Sequence, residues 1–279
     1  MRVAVFTSVY NEVFWLPIWI RHYSAQVGAE NCYVLDDGSD DGSTDNLPVN
    51  VERVRRAEIF DEFERLGRVQ DRVAKLLRRY GAVLHTDCDE LILADPARYS
   101  NLVAYTAATT HEVVTTAGLE LVHLLSTELA LDPSRPIGEQ RRWVRFHGAM
   151  CKPALVRKPV TWQPGFHFCD APTVFDGLYL VHLRWCDSAL AQARLARTRA
   201  IAYSPPQWGT HWRWGDEQLR NAMADIATFP PEPFLLDDHA PPLEPLLEEV
   251  KNGRAVGDHK LRVSPRKLWE LPERVRAIL

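Results

Sequence analysis

The stretch AVLHTDCDELI, residues 82–92, is the most informative part of the sequence about the fold. Its first four residues are typical of a buried strand, and they run directly into an acidic cluster that contains Asp87 and Asp89. A second apolar run, CYVL, ends in the same way at Asp36 and Asp37. In an open α/β sheet, ligands bind at the carboxyl ends of the strands. Two strands that both end in paired acids therefore predict a ligand site at that edge.

Outward from these strands, the apolar spacing alternates between strands and amphipathic helices. The predicted order is a strand at residues 2–7, a helix from 12 to 28, strands at 32–35 and 49–54, a helix at 60–80, a strand at 82–85, a helix reaching 108, strands at 112–116, 120–125 and 177–185, and a helix at 188–201. This order predicts an α/β fold with a mostly parallel sheet and helices on both faces. Residues 132–176 are rich in Pro, aromatic and basic residues, which favours an irregular surface.

Length, charge and cysteine usage limit the function. The 279 residues carry 33 Lys and Arg against 37 Asp and Glu, for a net charge of −4, so a nucleic-acid-coating role is not expected. No window is apolar for long enough to predict a membrane span or a secretory signal, although peripheral membrane contact stays open. Five scattered cysteines are typical of a reduced chain, so we expect a cytoplasmic protein.

The acidic clusters favour a cation site. If residues 86–90 are extended, Asp87 and Asp89 point to one side and can share a hard divalent cation. The alternative for DDGSDDGSTD is a turn followed by an N-capped helix. A calcium loop is rejected because its twelfth position would be Pro48. Zinc at His167, Cys169, His182 and Cys186 is a weak alternative, since their spacing departs from paired Cys-x-x-Cys knuckles.

Three motifs in register resemble the glycosyltransferases with the GT-A fold, specifically family-2-like enzymes and their relatives in family 92. They are TSVYNE at residues 7–12, VLDDGSDDGST at 34–44 and TDCDELI at 86–92. The resemblance implies a Rossmann-like GT-A domain at 1–225, with a nucleotide-binding half at 1–108 and an acceptor-side half at 109–225. Residues 226–279 would be an irregular C-terminal extension packed on the core.

The resemblance also implies roles for residues near the motifs. The first-strand residues that would line the nucleotide pocket are Thr7, Val9 and Asn11. Asp37 would accept a hydrogen bond from the base, which suits a uracil N–H. Asp89 would be the direct ligand of Mn²⁺ or Mg²⁺, and Asp87 would contact the ribose or the water shell of the metal. The cation would neutralise the leaving nucleoside diphosphate.

Later residues extend this site on the same resemblance. His182 is the predicted late metal or diphosphate ligand, with His167 as a second diphosphate candidate; a packed strand histidine is the alternative for both. Lys152 and Arg157 would lie near the diphosphate, or on a solvated surface. A basic row shares one face of the second predicted helix: Arg65, Arg68, Arg72, Lys75 and Arg79. Of this row only Arg68 is expected at the donor, and the others are expected in solvent.

The expected activity is therefore metal-dependent transfer of a sugar from a nucleotide sugar, with UDP expected, to a hydroxyl of a glycan or small molecule. Inversion is expected, and it needs a carboxylate base. Glu120 is the candidate for this base, and Asp170 and Asp176, near the two candidate histidines, are its alternatives. One or two of the second-half tryptophans would face the acceptor; the set is Trp143, Trp162, Trp185, Trp208, Trp212 and Trp214. Two alternatives stay open. They are a nucleotidyltransferase, whose basic Gly-rich loop is missing near the first strand, and a catalytically silent carbohydrate-binding protein.

Overall fold

Strands and helices alternate along the first half of the chain in the computed structural model, which describes residues 2–204, 213–255, 257 and 263–279. The strands are β1 (Val3–Val9), β2 (Cys32–Asp36), β3 (Asn50–Arg53), β4 (Phe60–Asp61), β5 (Ala82–His85), β6 (Glu90–Ala94), β7 (Val113–Val122), β8 (Trp143–Phe146), β9 (Pro153–Val156), β10 (Val174–Trp185), β11 (Tyr203–Ser204), β12 (Pro231–Glu232) and β13 (Leu268–Glu270). The helices are α1 (Trp15–Val27), α2 (Glu62–Leu77), α3 (Leu102–Ala108), α4 (Ile137–Gln140), α5 (Ser188–Arg199), α6 (Asp216–Ile226), α7 (Leu243–Ala255) and α8 (Glu273–Arg276).

One mixed sheet holds most of these strands. Strands β3, β2, β1 and β5 are parallel neighbours in that order. Strand β9 is antiparallel to both β5 and β7, so β5 and β7 run in the same direction. Strand β10 is parallel to β7 on its other side and pairs with antiparallel β6. The predicted α/β fold is confirmed, and the carboxyl ends of β1, β2, β5, β7 and β10 share one edge of the sheet.

Helices cover both faces of the parallel strands, as predicted. Successive side chains of a strand point to opposite faces. Val3 and Val5 therefore pack in the core that contains α1, whereas Ala4 and Phe6 pack with the apolar side of α2. Helix α2 begins at a clear cap, because the Asp61 carboxylate accepts the Phe63 and Glu64 backbone N–H groups. These two cores hold the strand ends that carry the acidic clusters.

The central strand β7 differs from the sequence prediction. Two strands were expected around Gly118, but β7 runs unbroken through it for ten residues, all of them buried. A Cβ on Gly118 would lie 2.5 Å from the carbonyl carbon of Met150 and 2.7 Å from the nitrogen of Cys151. The glycine therefore permits a close backbone approach and does not end the strand. The predicted irregular surface at 132–176 also contains β8 and β9, which pair with β7.

The last part of the chain adds to the same sheet. Strand β13 pairs with β8, and β12 pairs with β13. The backbone N–H of Ile137 donates to the Leu279 carbonyl at 2.9 Å, which joins α4 to the end of the chain. The domain division at residue 225 stays a prediction. Across the part of the chain that the structure describes, no helix combines the length and apolar character needed to cross a membrane.

Candidate functional site

A cavity of about 680 Å³ opens at the edge where the parallel strands end. Ligand sites of open α/β sheets lie at this edge. Most of the predicted site residues line it: Val9, Asp37, Arg68, Asp87, Asp89, Glu120, Lys152, His167 and His182. The fold thus brings residues from distant parts of the chain into one cavity.

Three of the predicted residues lie elsewhere. Thr7 is fully buried within β1, because alternation along the strand turns Ser8 rather than Thr7 to the cavity. Asn11 adopts a φ of 55°, and its side chain donates to Asp40 Oδ1 at 2.8 Å, so it braces the loop after β2. Arg157 donates to the Thr109 carbonyl at 2.8 Å and supports the end of α3.

The first acid after β2 is structural. Asp36 is fully buried, and its carboxylate accepts from the Ser39 N–H at 2.7 Å and from the Thr44 hydroxyl at 2.8 Å. Arg53 of the neighbouring strand donates to the same carboxylate at 2.7 Å. The acidic stretch that follows is a loop of turns, and no N-capped helix follows it. Asp36 therefore closes the loop and leaves the next residue to face the cavity.

Asp37 lies between two arginines on the cavity wall. Arg56 Nη1 donates to Asp37 Oδ2 at 2.5 Å, and Arg68 Nη1 donates to Oδ1 at 2.9 Å. The Arg56 guanidinium lies 3.5 Å from the centroid of the Tyr10 ring, a cation–π contact that orients it. At this end of the cavity, the Asp37 carboxylate is a hydrogen-bond acceptor with the donors Arg56 and Arg68 on its two sides. The Tyr10 ring lies next to Arg56.

The segment between β5 and β6 is a turn rather than an extended segment. The Glu90 N–H donates to the Asp87 carbonyl at 3.1 Å, and the chain turns at residues 88–89. The expectation that Asp87 and Asp89 point to one side because the segment is extended is therefore wrong. Instead, the two carboxylates pair with different cations from different elements.

Asp87 is held by two basic residues. Lys152 Nζ lies 2.9 Å from Asp87 Oδ2 and 2.5 Å from Glu90 Oε1, and Arg65 pairs with Asp87 Oδ1. Burial would raise the pKa of Asp87, but Lys152 and Arg65 outweigh it and hold that pKa well below its ordinary value. The prediction that Arg65 is a solvated surface residue is wrong. The buried Glu62 one turn earlier lies 3.3 Å from Arg65 and helps to hold it at the cavity wall.

Asp89 pairs with a cation that the sequence prediction missed. Arg194 of α5 contacts Asp89 Oδ2, and His182 Nε2 lies 3.2 Å from the same oxygen. Against the effect of burial, these two cations lower the pKa of Asp89. Arg194 also lies 3.2 Å from Glu12, whose pKa is raised by burial. The sequence shows Glu12 at the end of the TSVYNE motif and a basic group on α5, which consists of Arg194, Arg197 and Arg199. Sequence spacing alone did not indicate that this helix contacts Glu12.

Strand register places Glu120 between two cations. Glu120 of β7 is the cross-strand neighbour of Arg145 on one side and of His182 on the other. Arg145 Nε donates to Glu120 Oε2 at 2.7 Å, and Trp185 Nε1 donates to Oε1 at 3.0 Å. Although burial opposes it, the neighbouring basic groups, first His147 and Arg145, hold the pKa of Glu120 well below its ordinary value.

His182 has a carboxylate on each side. Its Nδ1 lies 3.4 Å from Glu120 Oε1, and its Nε2 faces Asp89. Burial opposes the charged form, but the two carboxylates outweigh it and raise the pKa of His182 to about 9. The imidazole is therefore protonated at neutral pH in the arrangement described.

Two side chains of the cavity could serve as ligands of a metal. Asp89 Oδ2 and His182 Nε2 are 3.2 Å apart on the cavity wall, and a carboxylate oxygen beside an imidazole nitrogen is a usual pair of ligands. Within the described ranges, no group of three or more His, Cys, Asp or Glu residues is arranged to hold a metal, which includes the residues of the zinc alternative. The pair fits an ion that takes its other ligands from phosphate and water.

Two of the six candidate tryptophans line the cavity. Trp185 and Trp214 have ring centroids 5.9 Å apart at an angle of 55°. Trp162 is buried in the core beside α2, where its indole N–H donates to the Pro153 carbonyl. Trp143 lies on β8 outside this cavity. Two further candidates, Trp208 and Trp212, lie outside the described residues.

Comparison with known proteins gives only distant likenesses. No family model and no curated protein matches the chain. Among solved structures, the chain is similar to S. aureus TarS 1-349 with 10% identity and a TM-score of 0.36, over 81% of this chain and 71% of that one. It is also similar to a mannose-1-phosphate geranyltransferase from Thermus thermophilus, with 14% identity and a TM-score of 0.31, over 99% and 77%.

A third similar structure is a cytidylyltransferase from Leptospira borgpetersenii serovar Hardjo-bovis, with 13% identity and a TM-score of 0.28. The match covers 42% of this chain and 54% of the cytidylyltransferase, so the chain spans about half of that protein. All three TM-scores lie below 0.5, a level at which the likeness carries no argument about the site.

Proposed function

We propose that the protein is a metal-dependent glycosyltransferase that moves a sugar from a UDP-linked donor to a hydroxyl of a glycan or small-molecule acceptor. The observation that carries this proposal is the single cavity at the sheet edge. Three regions line this cavity: the end at Asp37, where a nucleobase would bind, the charged centre at Asp87 and Asp89, and the carboxylate Glu120. The GT-A resemblance of the three motifs implies that Asp37, Asp87 and Asp89 bind the donor. It also implies that the acceptor lies beside Glu120.

The end of the cavity at Asp37 supports uridine as the base. Uracil presents an acceptor, a donor and an acceptor along its O4, N3–H and O2 edge. Arg56, Asp37 and Arg68 present the complementary donor, acceptor and donor. Cytosine has no hydrogen on N3 and would place a lone pair against the carboxylate. The Tyr10 ring beside Arg56 adds an aromatic surface on which a base can stack.

The cations of the cavity would bind the leaving diphosphate. Lys152, Arg65 and Arg194 line the cavity around the acidic turn, and the contacts of Lys152 and Arg65 with Asp87 fix these two charges before substrate arrives. Fixed positive groups stabilise negative charge that grows in the transition state without reorganisation. Through their contacts with its two oxygens, Arg65 and Lys152 also orient Asp87 for a hydrogen bond from the ribose.

Asp89 and His182 would hold the Mn²⁺ or Mg²⁺ ion. When bound, this ion supplies Lewis-acid stabilisation of the diphosphate. To serve as ligands, His182 would have to be unprotonated and Asp89 would have to be free of Arg194. The Arg194 guanidinium would then be available to the phosphates.

Glu120 is the proposed base of an inverting transfer. It is ionised, and Arg145, Trp185 and His182 orient it. A carboxylate of low pKa accepts a proton weakly. The acceptor hydroxyl would therefore have to replace one of the three donors, and the loss of that donor raises the pKa of Glu120 as the proton is transferred.

Release of UDP from a panel of UDP-sugars, with and without simple glycosides as acceptors, tests the proposal. Glu120→Gln should lower kcat by about 10²-fold or more while the affinity for UDP is unchanged. Glu112→Gln is the matched control, because Glu112 lies just before the same strand, exposed and paired with Lys158. Equal activity of the two variants would refute Glu120 as the base.

The same samples distinguish the alternatives. Formation of pyrophosphate from UTP or CTP and a sugar 1-phosphate would support a nucleotidyltransferase. Binding of sugars without any nucleotide binding would support a silent carbohydrate-binding protein. Location in the cytoplasm and the lack of a nucleic-acid partner stay predictions from composition.

A further inference from the structure

One guanidinium joins two carboxylates of the cavity that come from different strand ends. Arg194 of α5 contacts Asp89 Oδ2, and its Nη2 lies 3.2 Å from Glu12 Oε1. Asp89 belongs to the turn after β5, whereas Glu12 follows β1 at the end of the TSVYNE motif. Both residues are buried, with 3% and 8% of their surface exposed. Glu12 is thus a buried carboxylate at the cavity that has no role yet in donor binding.

Glu12 also pairs with a second arginine of the same helix. Its other oxygen, Oε2, lies 3.3 Å from Nη2 of Arg197, and Arg197 also contacts the Asn11 carbonyl. Residues that are three apart on a helix lie on the same side, so Arg194 and Arg197 approach Glu12 together. Each Glu12 oxygen therefore faces one guanidinium. These contacts attach α5 to the end of β1 independently of Asp89.

The contact of Arg194 with Asp89 is made at the oxygen that a metal would need. His182 Nε2 lies 3.2 Å from Asp89 Oδ2, and Arg194 contacts the same oxygen. A divalent ion at this oxygen would repel the guanidinium, and it would need the lone pair that the guanidinium N–H now occupies. The two cations can therefore bind Asp89 Oδ2 only in turn.

We propose that Arg194 and the divalent ion are alternative partners of Asp89, and that Glu12 retains Arg194 while the ion is bound. The inference rests on the proposed function, since it concerns the metal of the same donor site. Without the ion, Arg194 and His182 balance the charge of the buried Asp89 carboxylate. With the ion, Arg194 keeps its contact with Glu12, and the nitrogen that leaves Asp89 can donate to the phosphates. Arg194 and Glu12 are thus positioning residues that set the affinity of the site for metal.

Binding of Mn²⁺ to the nucleotide-free protein tests this competition, with free Mn²⁺ measured by electron paramagnetic resonance. If Asp89 is free of Arg194 in about one wild-type molecule in ten, Arg194→Gln should bind Mn²⁺ about tenfold more tightly than the wild type. Arg197→Gln is the matched control, because it removes the same charge from the same helix, whereas its contacts are with Glu12 and Asn11. The Arg197 side chain is 40% exposed, so screening should keep the change in this control within about twofold.

Glu12→Gln should act in the opposite direction. It removes the carboxylate that retains Arg194, so Arg194 pairs with Asp89 for more of the time. Mn²⁺ binding should weaken by about fivefold or more, the lower end of the usual coupling between two binding events. In the Arg194→Gln background, the same change should have little effect, because the competing cation is already absent. Partial unfolding would weaken Mn²⁺ binding in both single variants, so it cannot imitate shifts of opposite sign.

Several outcomes would overturn the inference. One is an Mn²⁺ affinity of Arg194→Gln that is equal to or below that of the wild type, and another is an equal gain in Arg197→Gln, which would reflect net charge alone. An unchanged affinity in Glu12→Gln, or the same loss with and without Arg194, would also overturn it.

The UDP titration separates this inference from the proposed function. Mn²⁺ binding by none of the nucleotide-free proteins contradicts the competition at Asp89. If Mn²⁺ still tightens the binding of UDP to the wild type, the proposed function stands and the inference alone fails. If UDP does not bind, or Mn²⁺ has no effect on its binding, the proposed function fails as well.

Discussion

Replacement of Lys152 by methionine would leave two carboxylates of the site without their shared ammonium group. Lys152 is 6% exposed and contacts both Asp87 and Glu90. Asp87 keeps Arg65 as a partner. Glu90, with a side chain only 2% exposed, keeps the backbone N–H of Asp87 as a donor but loses its ammonium. Methionine fills a similar volume, so the change removes charge with little loss of packing.

The loss of folding free energy in Lys152→Met follows from the burial of Glu90. Removing one partner of a buried ion pair typically costs about 3–5 kcal/mol of folding free energy. Burial raises the pKa of Glu90 in the native protein, and loss of Lys152 raises it further. Because the folded variant then binds a proton that the unfolded chain does not, each pH unit of acidification recovers up to about 1.4 kcal/mol. We therefore expect the difference in folding free energy between the variant and the wild type to be largest near pH 8 and smaller at pH 5.

Urea denaturation of the wild type and the variant at pH 8 and pH 5, followed by tryptophan fluorescence, measures this deficit. The corresponding fall in Tm at pH 8 is about 6–10 °C, at about 2 °C per kcal/mol for a chain of this size. Lys158→Met is the control, since Lys158 pairs with Glu112 on the surface and should cost about 0–1 kcal/mol. Adding Glu90→Gln to Lys152→Met should restore part of the loss at pH 8.

Two results would contradict this role of Lys152. One is a Lys152→Met variant within about 1 kcal/mol of the wild type at pH 8, the cost expected of an exposed pair. The other is a loss of stability that grows on acidification, because this would mean that the unpaired Glu90 carboxylate is not the cause of the loss.

Three further predictions concern buried residues of the strands and helices around the cavity. Gly118→Ala should lower the free energy of unfolding by about 2 kcal/mol or more in urea titrations, because its Cβ would meet Met150 at 2.5 Å, whereas Gly67→Ala, with open space, should be neutral or stabilising. His85 has a pKa lowered by burial to about 3, so stability is lost as the pH falls below about 6.5; His85→Phe should reduce the loss between pH 7 and pH 4.5 by up to about 2.7 kcal/mol. Asp187→Ala should lower Tm by an amount equivalent to about 3 kcal/mol, because it removes the nearer of the two carboxylates that pair with the buried Arg141 and the N-cap of α5; an unchanged Tm would contradict that role.

The strand ends that build the site could be predicted from sequence. Short apolar runs that stop at acidic residues identify the ends of β2 and β5, and parallel pairing then places Asp37 and Asp87 at one edge. Both residues line the cavity. This part of the prediction depends only on local pattern and on the general topology of α/β sheets, so a single sequence was sufficient.

The partners of the acids could not be predicted. Arg65 and Arg194 approach the acidic turn from α2 and α5, and their contacts depend on how each helix is rotated against the sheet. A row of basic residues on a helix is usually solvated, so the charge pattern of α2 gave no reason to separate Arg65 from Arg72. Similarly, alternation along β1 showed that Thr7 and Ser8 face opposite sides but did not show which of them faces the cavity.

Calorimetric titration of UDP into the metal-free protein, with and without Mn²⁺ and repeated on Asp89→Ala, is the most direct test of the proposed donor site. We expect that UDP binds, that Mn²⁺ tightens this binding about tenfold or more, and that Asp89→Ala removes the effect of the metal, as expected for one direct ligand. UDP binding that is the same with and without Mn²⁺, or no binding under either condition, would contradict the claim that this cavity is the donor site of a metal-dependent glycosyltransferase.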